Sequence, residues 1–129
     1  MKKITLFLVL ALSLTMIGCS KDGEINAFVA DFDATTKQMV EKINAGDVDG
    51  ARTAFDAKKE SLKTQWGSIK TARGFQVSAE TKKKAEESVT KNAAAISSAM
   101  IANTMKFATD KAKLDKLKAL VTEYGEIFK

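Results

Sequence analysis

The chain has one cysteine, Cys19, which closes an apolar run and follows Met16-Ile17-Gly18. A thiol can act as nucleophile, disulfide partner, metal ligand or attachment point. A single cysteine has no internal disulfide partner, and the sequence contains no histidine, the commonest general base and metal ligand. Glu24, Asp31 and Asp33 are carboxylates of one predicted helix. Their spacing does not bring them to one point with a second acid–base partner, as carboxylate-pair hydrolysis requires. Asp47-Val48-Asp49-Gly50 has the opening of a calcium loop. The third acidic ligand is missing, however, and the twelfth position is Lys58 instead of glutamate, so the segment reads as an aspartate-capped helical turn. There is no G-x-G-x-x-G, P-loop or G-x-S-x-G. Met39, Met100, Met105 and Trp66 fall on helical stripes and read as core, and the lack of histidine excludes a His-ligated haem. No catalytic residue, cofactor or metal is expected.

The leading segment gives Cys19 its meaning. Lys2 and Lys3 are followed by the apolar run Ile4–Ile17. That run has the length of a secretory apolar region and falls short of the roughly 20 residues a spanning helix needs. Gly18 precedes Cys19, and polar Ser20, Lys21, Asp22 and Gly23 follow. The arrangement resembles the lipobox of bacterial lipoproteins. Ile17, Gly18 and Cys19 match its pattern, and Met16 stands where leucine is commonest. The resemblance implies cleavage before Cys19, a diacylglyceryl thioether on its sulfur and acylation of the freed amine. Residues 1–18 are then a signal peptide, 19–24 a lipidated tether and 25–129 a helical bundle domain. One acyl chain gives only marginal membrane binding, at about 0.8 kcal/mol per buried methylene, whereas two or three make a lasting anchor. Under the sorting rule of enteric-type lipoproteins, Ser20 directs the protein to the outer membrane.

Loss of residues 1–18 leaves 111 of the 129 residues, enough for one domain, and removes two lysines, lowering the formal charge from +5 to +3. The charges are mixed along the chain, which argues against a nucleic-acid binder. Lys82-Lys83-Lys84 offers contact with an anionic lipid or polymer, but Glu86 and Glu87 follow within a turn and make a solvated face the better reading.

The elements that would position these residues are all helical. Ile25, Phe28, Val29, Phe32, Met39, Val40 and Ile43 form a first stripe, with Asp22 as N-cap and Gly46 as terminator. Asp47 caps a second helix with the stripe Ala51, Phe55, Leu62, Trp66 and Ile69, closed by Arg73-Gly74. The Gly46-Asp47 turn is similar to that of tetratricopeptide hairpins, but no 34-residue repeat accompanies it. Gly67 costs about 1 kcal/mol inside a helix and is read as marking a close contact beside Trp66.

After the linker Phe75-Gln76-Val77, Ser78 caps a third helix whose stripe reads Ala85, Val89, Ala93, Ala94, Ala95, Ile96, Ala99 and Met100, continuing to Met105 and Phe107. A fourth stripe, Leu114, Leu117, Leu120, Val121, Tyr124, Ile127 and Phe128, follows the cap signal Thr109-Asp110. No glycine or proline marks that junction, so one long helix is the alternative. The fold class is all-α: an up-down bundle of four helices, or three if the last two are continuous.

The expected function is a non-enzymatic envelope lipoprotein, held to the membrane by acyl chains on Cys19 and binding an envelope protein or anionic polymer. A second expectation is a carrier or sensor of a hydrophobic small molecule, held in a cavity that the Ala-rich third helix leaves between aromatic neighbours. A third is a surface-exposed antigen or adhesin.

Overall fold

The computed structural model describes residues 20–72 and 74–129. Cys19 and the leading segment 1–18 lie outside the described residues, as do Arg73 and the side chain of Phe75. Four helices follow in order: α1 (Asp22–Asn44), α2 (Val48–Ile69), α3 (Ala79–Lys106) and α4 (Lys111–Gly125). Short 3-10 turns occupy Gly74–Gln76 and Glu126–Phe128. Among the described residues no strand occurs, and no helix is long and apolar enough to cross a membrane.

The helix ends follow local chemistry. Gly46 has φ +80 and terminates α1, its N–H donating to Ile43 O while the Asp47 N–H donates to Lys42 O. This six-to-one, five-to-two pattern places glycine where a Cβ would be strained. Asp47 then caps α2 by accepting from the Gly50 N–H at 2.7 Å. A Cβ on Gly50 would collide with that carboxylate, so the cap and the glycine belong together. Ser78 accepts from the Thr81 N–H at 3.2 Å, and Asp110 from the Lys113 N–H at 3.0 Å. The Asp110 cap has a non-helical backbone, and Phe107 just before it is buried. These two residues break the last segment into two helices. The start of α1 differs from the sequence reading. Its N-cap is Lys21, which makes no side-chain cap bond, and Asp22 is already helical.

Hydrogen bonds fix the topology. Gln65 donates to Asp31, and Ser68 to Glu24, so α2 runs antiparallel to α1. Asp33 meets Ser88 and Asn92, and Asn44 meets Asn103, so α3 runs parallel to α1. Asp49 meets Lys116, and Arg52 and Lys59 meet Glu123, so α4 runs parallel to α2 and therefore antiparallel to α1, with Thr36 and Tyr124 pairing at 2.6 Å between them. The result is an up-down-up-down bundle.

Its core is aromatic and aliphatic: Phe28, Phe32, Phe55, Met39, Leu62 and Leu117 are sealed from solvent. Phe32 stacks on Phe28 and on Tyr124, each at 5.4 Å between centroids, and Phe128 meets Phe32 edge-on. Such pairs add about 0.5–1.5 kcal/mol each beyond area burial.

Two expectations are corrected here. The Ala-rich helix turns only part of its predicted stripe inward: Ile96, Ala99 and Phe107 are buried, and Ala85, Val89 and Met100 pack against the core. Ala93 and Ala94 point to solvent, and Met105 is 83% exposed, while Thr81, Ser88, Asn92 and Asn103 turn inward beside Ile96 and Ala99. The partners waiting on α1 are polar, and hydrogen bonding there outweighs alanine burial. Gly67 likewise marks no close contact, since a Cβ there would meet no atom within 4 Å.

Candidate functional site

The α1–α3 seam carries the densest polar arrangement of the described residues. The Asp33 carboxylate accepts through Oδ1 from the Ser88 hydroxyl at 2.6 Å and from the Asn92 amide. Asn92 also donates to Ser88 Oγ at 3.1 Å, which closes a triangle. Below it, the Asp22 carboxylate accepts from the Ser78 N–H at 2.9 Å, which holds the Asp22 pKa below the ordinary aspartate value. Above it, Asn103 Nδ2 donates to Asn44 Oδ1 at 2.9 Å and to Ala99 O at 2.8 Å. Asn103 is fully buried, and its Oδ1 has no donor.

A recess of about 570 Å³ opens beside the triangle, with Asp33, Thr36 and Asn92 lining it together with Ala30, Ala34 and Ala95. The alanines leave the space, and Lys37, Glu41 and Lys91 stand around it. Its accessible lining is mostly apolar, from the alanines and Val40, with groups of both charges at its edge.

The Thr36–Tyr124 pair lies behind this recess. Burial pushes the Tyr124 phenol well above its ordinary value, the Asp33 charge adds to this, and the Thr36 hydrogen bond opposes it. The hydroxyl therefore stays protonated and serves as a hydrogen-bonding group.

A second cleft, of about 330 Å³, lies at the end of the bundle where the chain enters α1. Buried Ile25 and Ile69 line it with Trp66, Val77, Lys82 and Ala85. The indole Nε1 of Trp66 is buried without an acceptor. Phe128 meets the indole edge-on at 5.0 Å, and no residue of α4 lines the cleft. The Lys21 N–H donates to Gln76 O at 2.8 Å, tying the entering chain to the turn beside the cleft.

The sequence-predicted residues separate in space. Cys19, the one predicted site residue, lies outside the described residues. The three α1 carboxylates diverge: Glu24 goes to Lys21 and Ser68, Asp31 to Gln65, and Asp33 to α3. Ser68 and Lys21 hold Glu24 below its ordinary pKa. Asp47 caps its helix, and Asp49 pairs with Lys116 at 2.9 Å. Among the described residues no group of histidine, cysteine or acidic side chains could hold a metal ion. Lys82, Lys83 and Lys84 pair with Glu86, Glu87 and Glu80 on an exposed face.

Sequence reasoning by apolar stripes missed Thr81, Ser88, Asn92 and Asn103. A signal was present: Asp22, Asp33 and Asn44 recur every eleven positions, as do Thr81, Asn92 and Asn103. Eleven residues are three helical turns, so each set shares one face.

No family model, curated protein or solved structure matches this chain.

Proposed function

We infer that this chain is a lipid-anchored protein of the bacterial cell envelope whose helical bundle is a non-enzymatic binding or scaffolding module. The single observation that carries this reading is the junction Ile17-Gly18-Cys19, placed after a basic start and an apolar run of secretory length. With the sulfur of Cys19 in a thioether, the mature chain holds neither a free thiol nor a histidine. Ser20 favours the outer membrane. The partner would be an envelope protein or an anionic polymer, and the α1–α3 recess, with Lys37, Glu41 and Lys91 about a mostly apolar floor, offers a surface for a protein contact.

Metabolic labelling with an alkyne-bearing palmitate tests the anchor. The expected result is label on the wild-type protein, none on Cys19→Ser, and an intact mass showing loss of residues 1–18. Equal labelling of Cys19→Ser would sink the anchor. Affinity capture from detergent-solubilised envelopes tests the module, and recovery of the protein alone would count against a binding role.

The carrier reading keeps support from one observation, the apolar cleft at Trp66. It lies at the tethered end of the bundle, beside the aromatic cluster in which Trp66 meets Phe28 and Phe128.

A further inference from the structure

We propose that the cleft beside Trp66 binds one long-chain fatty acid, its alkyl chain against Ile25, Ile69, Val77 and Ala85 and its carboxylate at Lys82. The ligand class follows from the walls. Ile25 and Ile69 are buried at the cleft, Val77 and Ala85 add further apolar surface, and among the described residues Lys82 is the one charged side chain of the lining. A volume of about 330 Å³ falls in the range of roughly 300–1,000 Å³ that small-molecule sites occupy.

One observation points to an anionic amphiphile over a plain hydrocarbon. The Lys82 ammonium is 72% exposed and reaches the Glu86 carboxylate only at 4.0 Å, so its charge is available at the rim.

The fold explains why the space exists. Phe128 covers Trp66 from one side, and past that contact the cleft is lined only by α1, α2, α3 and the segment joining α2 to α3. Ser20 and Lys21 enter beside the same turn, since the Lys21 N–H binds Gln76 O. The supply of acyl chains at this end rests on the Cys19 anchor; the ligand class does not.

Trp66 is the only tryptophan of the chain, so its emission reports the cleft directly. Purified full-length protein on phosphatidylcholine vesicles is titrated with a palmitate brominated along its chain, a contact quencher of indole emission. The expected result is saturable quenching at one fatty acid per protein. The apparent affinity should fall several-fold for Lys82→Gln and vanish for Ala85→Phe, whose added ring fills the cleft. Lys82 is exposed, so Lys82→Gln keeps the test decisive even if Ala85→Phe fails to fold.

Absence of saturable quenching, or quenching that Lys82→Gln leaves unchanged, overturns the proposal. Vesicles of brominated phosphatidylcholine without fatty acid form the second arm. Quenching there as strong as with brominated palmitate would give the cleft to a bilayer phospholipid and overturn the fatty-acid assignment. Mass spectrometry of the same preparation reads acylation of Cys19 separately, so loss of the anchor reading and loss of this one are told apart.

Discussion

Asp33 on α1 and Asn92 on α3 share a hydrogen bond across 59 sequence positions, and the same offset joins Asn44 to Asn103. Asp22 faces Thr81 at that offset as well. Three rungs, each three helical turns from the next, therefore lock two parallel helices in one register. A polar seam of this kind specifies alignment, because any slip leaves several buried groups unpaired.

Asp33→Ala removes the acceptor that Ser88 and Asn92 share. Their donors are then left buried, which costs about 1–3 kcal/mol in urea unfolding. Adding Ser88→Ala and Asn92→Leu should recover part of that loss, since replacing all partners by apolar groups removes the unpaired donors. Strict additivity of the three substitutions would argue against a coupled seam.

Tyr124→Phe leaves the Thr36 hydroxyl without its partner and should cost about 0.5–1.5 kcal/mol. Tyr124 is the only tyrosine of the chain, so absorbance at high pH titrates it alone. Its folded pKa is raised, so the stability it confers is complete below the unfolded value of about 10 and falls as pH rises beyond it. Tyrosinate should therefore appear together with loss of helical circular dichroism. Ionisation near pH 10 in a fully folded protein would contradict the buried pair.

The acid limb has the opposite sign. Hydrogen bonds from Arg52 at 2.7 Å and Lys59 at 3.2 Å hold the Glu123 pKa below its ordinary value. A depressed carboxylate gives stability above its unfolded value, about 4.3, and loses it as pH falls through the folded value. Unfolding midpoints should drop below about pH 4 in the wild type and less steeply in Glu123→Gln.

Two glycine substitutions should move stability in opposite directions. Gly50→Ala forces the Asp47 carboxylate off its cap and should cost about 0.5–2 kcal/mol, the worth of an N-cap. In an Asp47→Ala background the same change should cost little, because the colliding group is gone. Gly67→Ala meets no atom within 4 Å inside α2 and should stabilise by about 0.5–1 kcal/mol. Thermal unfolding of the four variants checks both signs.

The all-α class, the helical stripes and most of the caps were legible in the sequence, because these depend on neighbours within a turn or two, while the choice between four helices and three at Asp110 was left to the structure. Asp47, Ser78 and Asp110 cap the next helix wherever the bundle places it, and Gly46 ends α1 through its own backbone freedom. Apolar stripes likewise identified Phe28, Phe32, Met39, Phe55 and Leu62 as core. The facing of α3 was decided only in three dimensions. Its alanines carry a weak burial preference, and the polar side chains of α1 at Asp22, Asp33 and Asn44 decided which face turned inward. The cleft at Trp66 is tertiary for the same reason: it is bounded by three helices and the segment joining α2 to α3, with Phe128 packed on Trp66, residues far apart in the chain. Local preferences reach a few residues along a helix, whereas a seam or a cleft exists only once separate helices share a register.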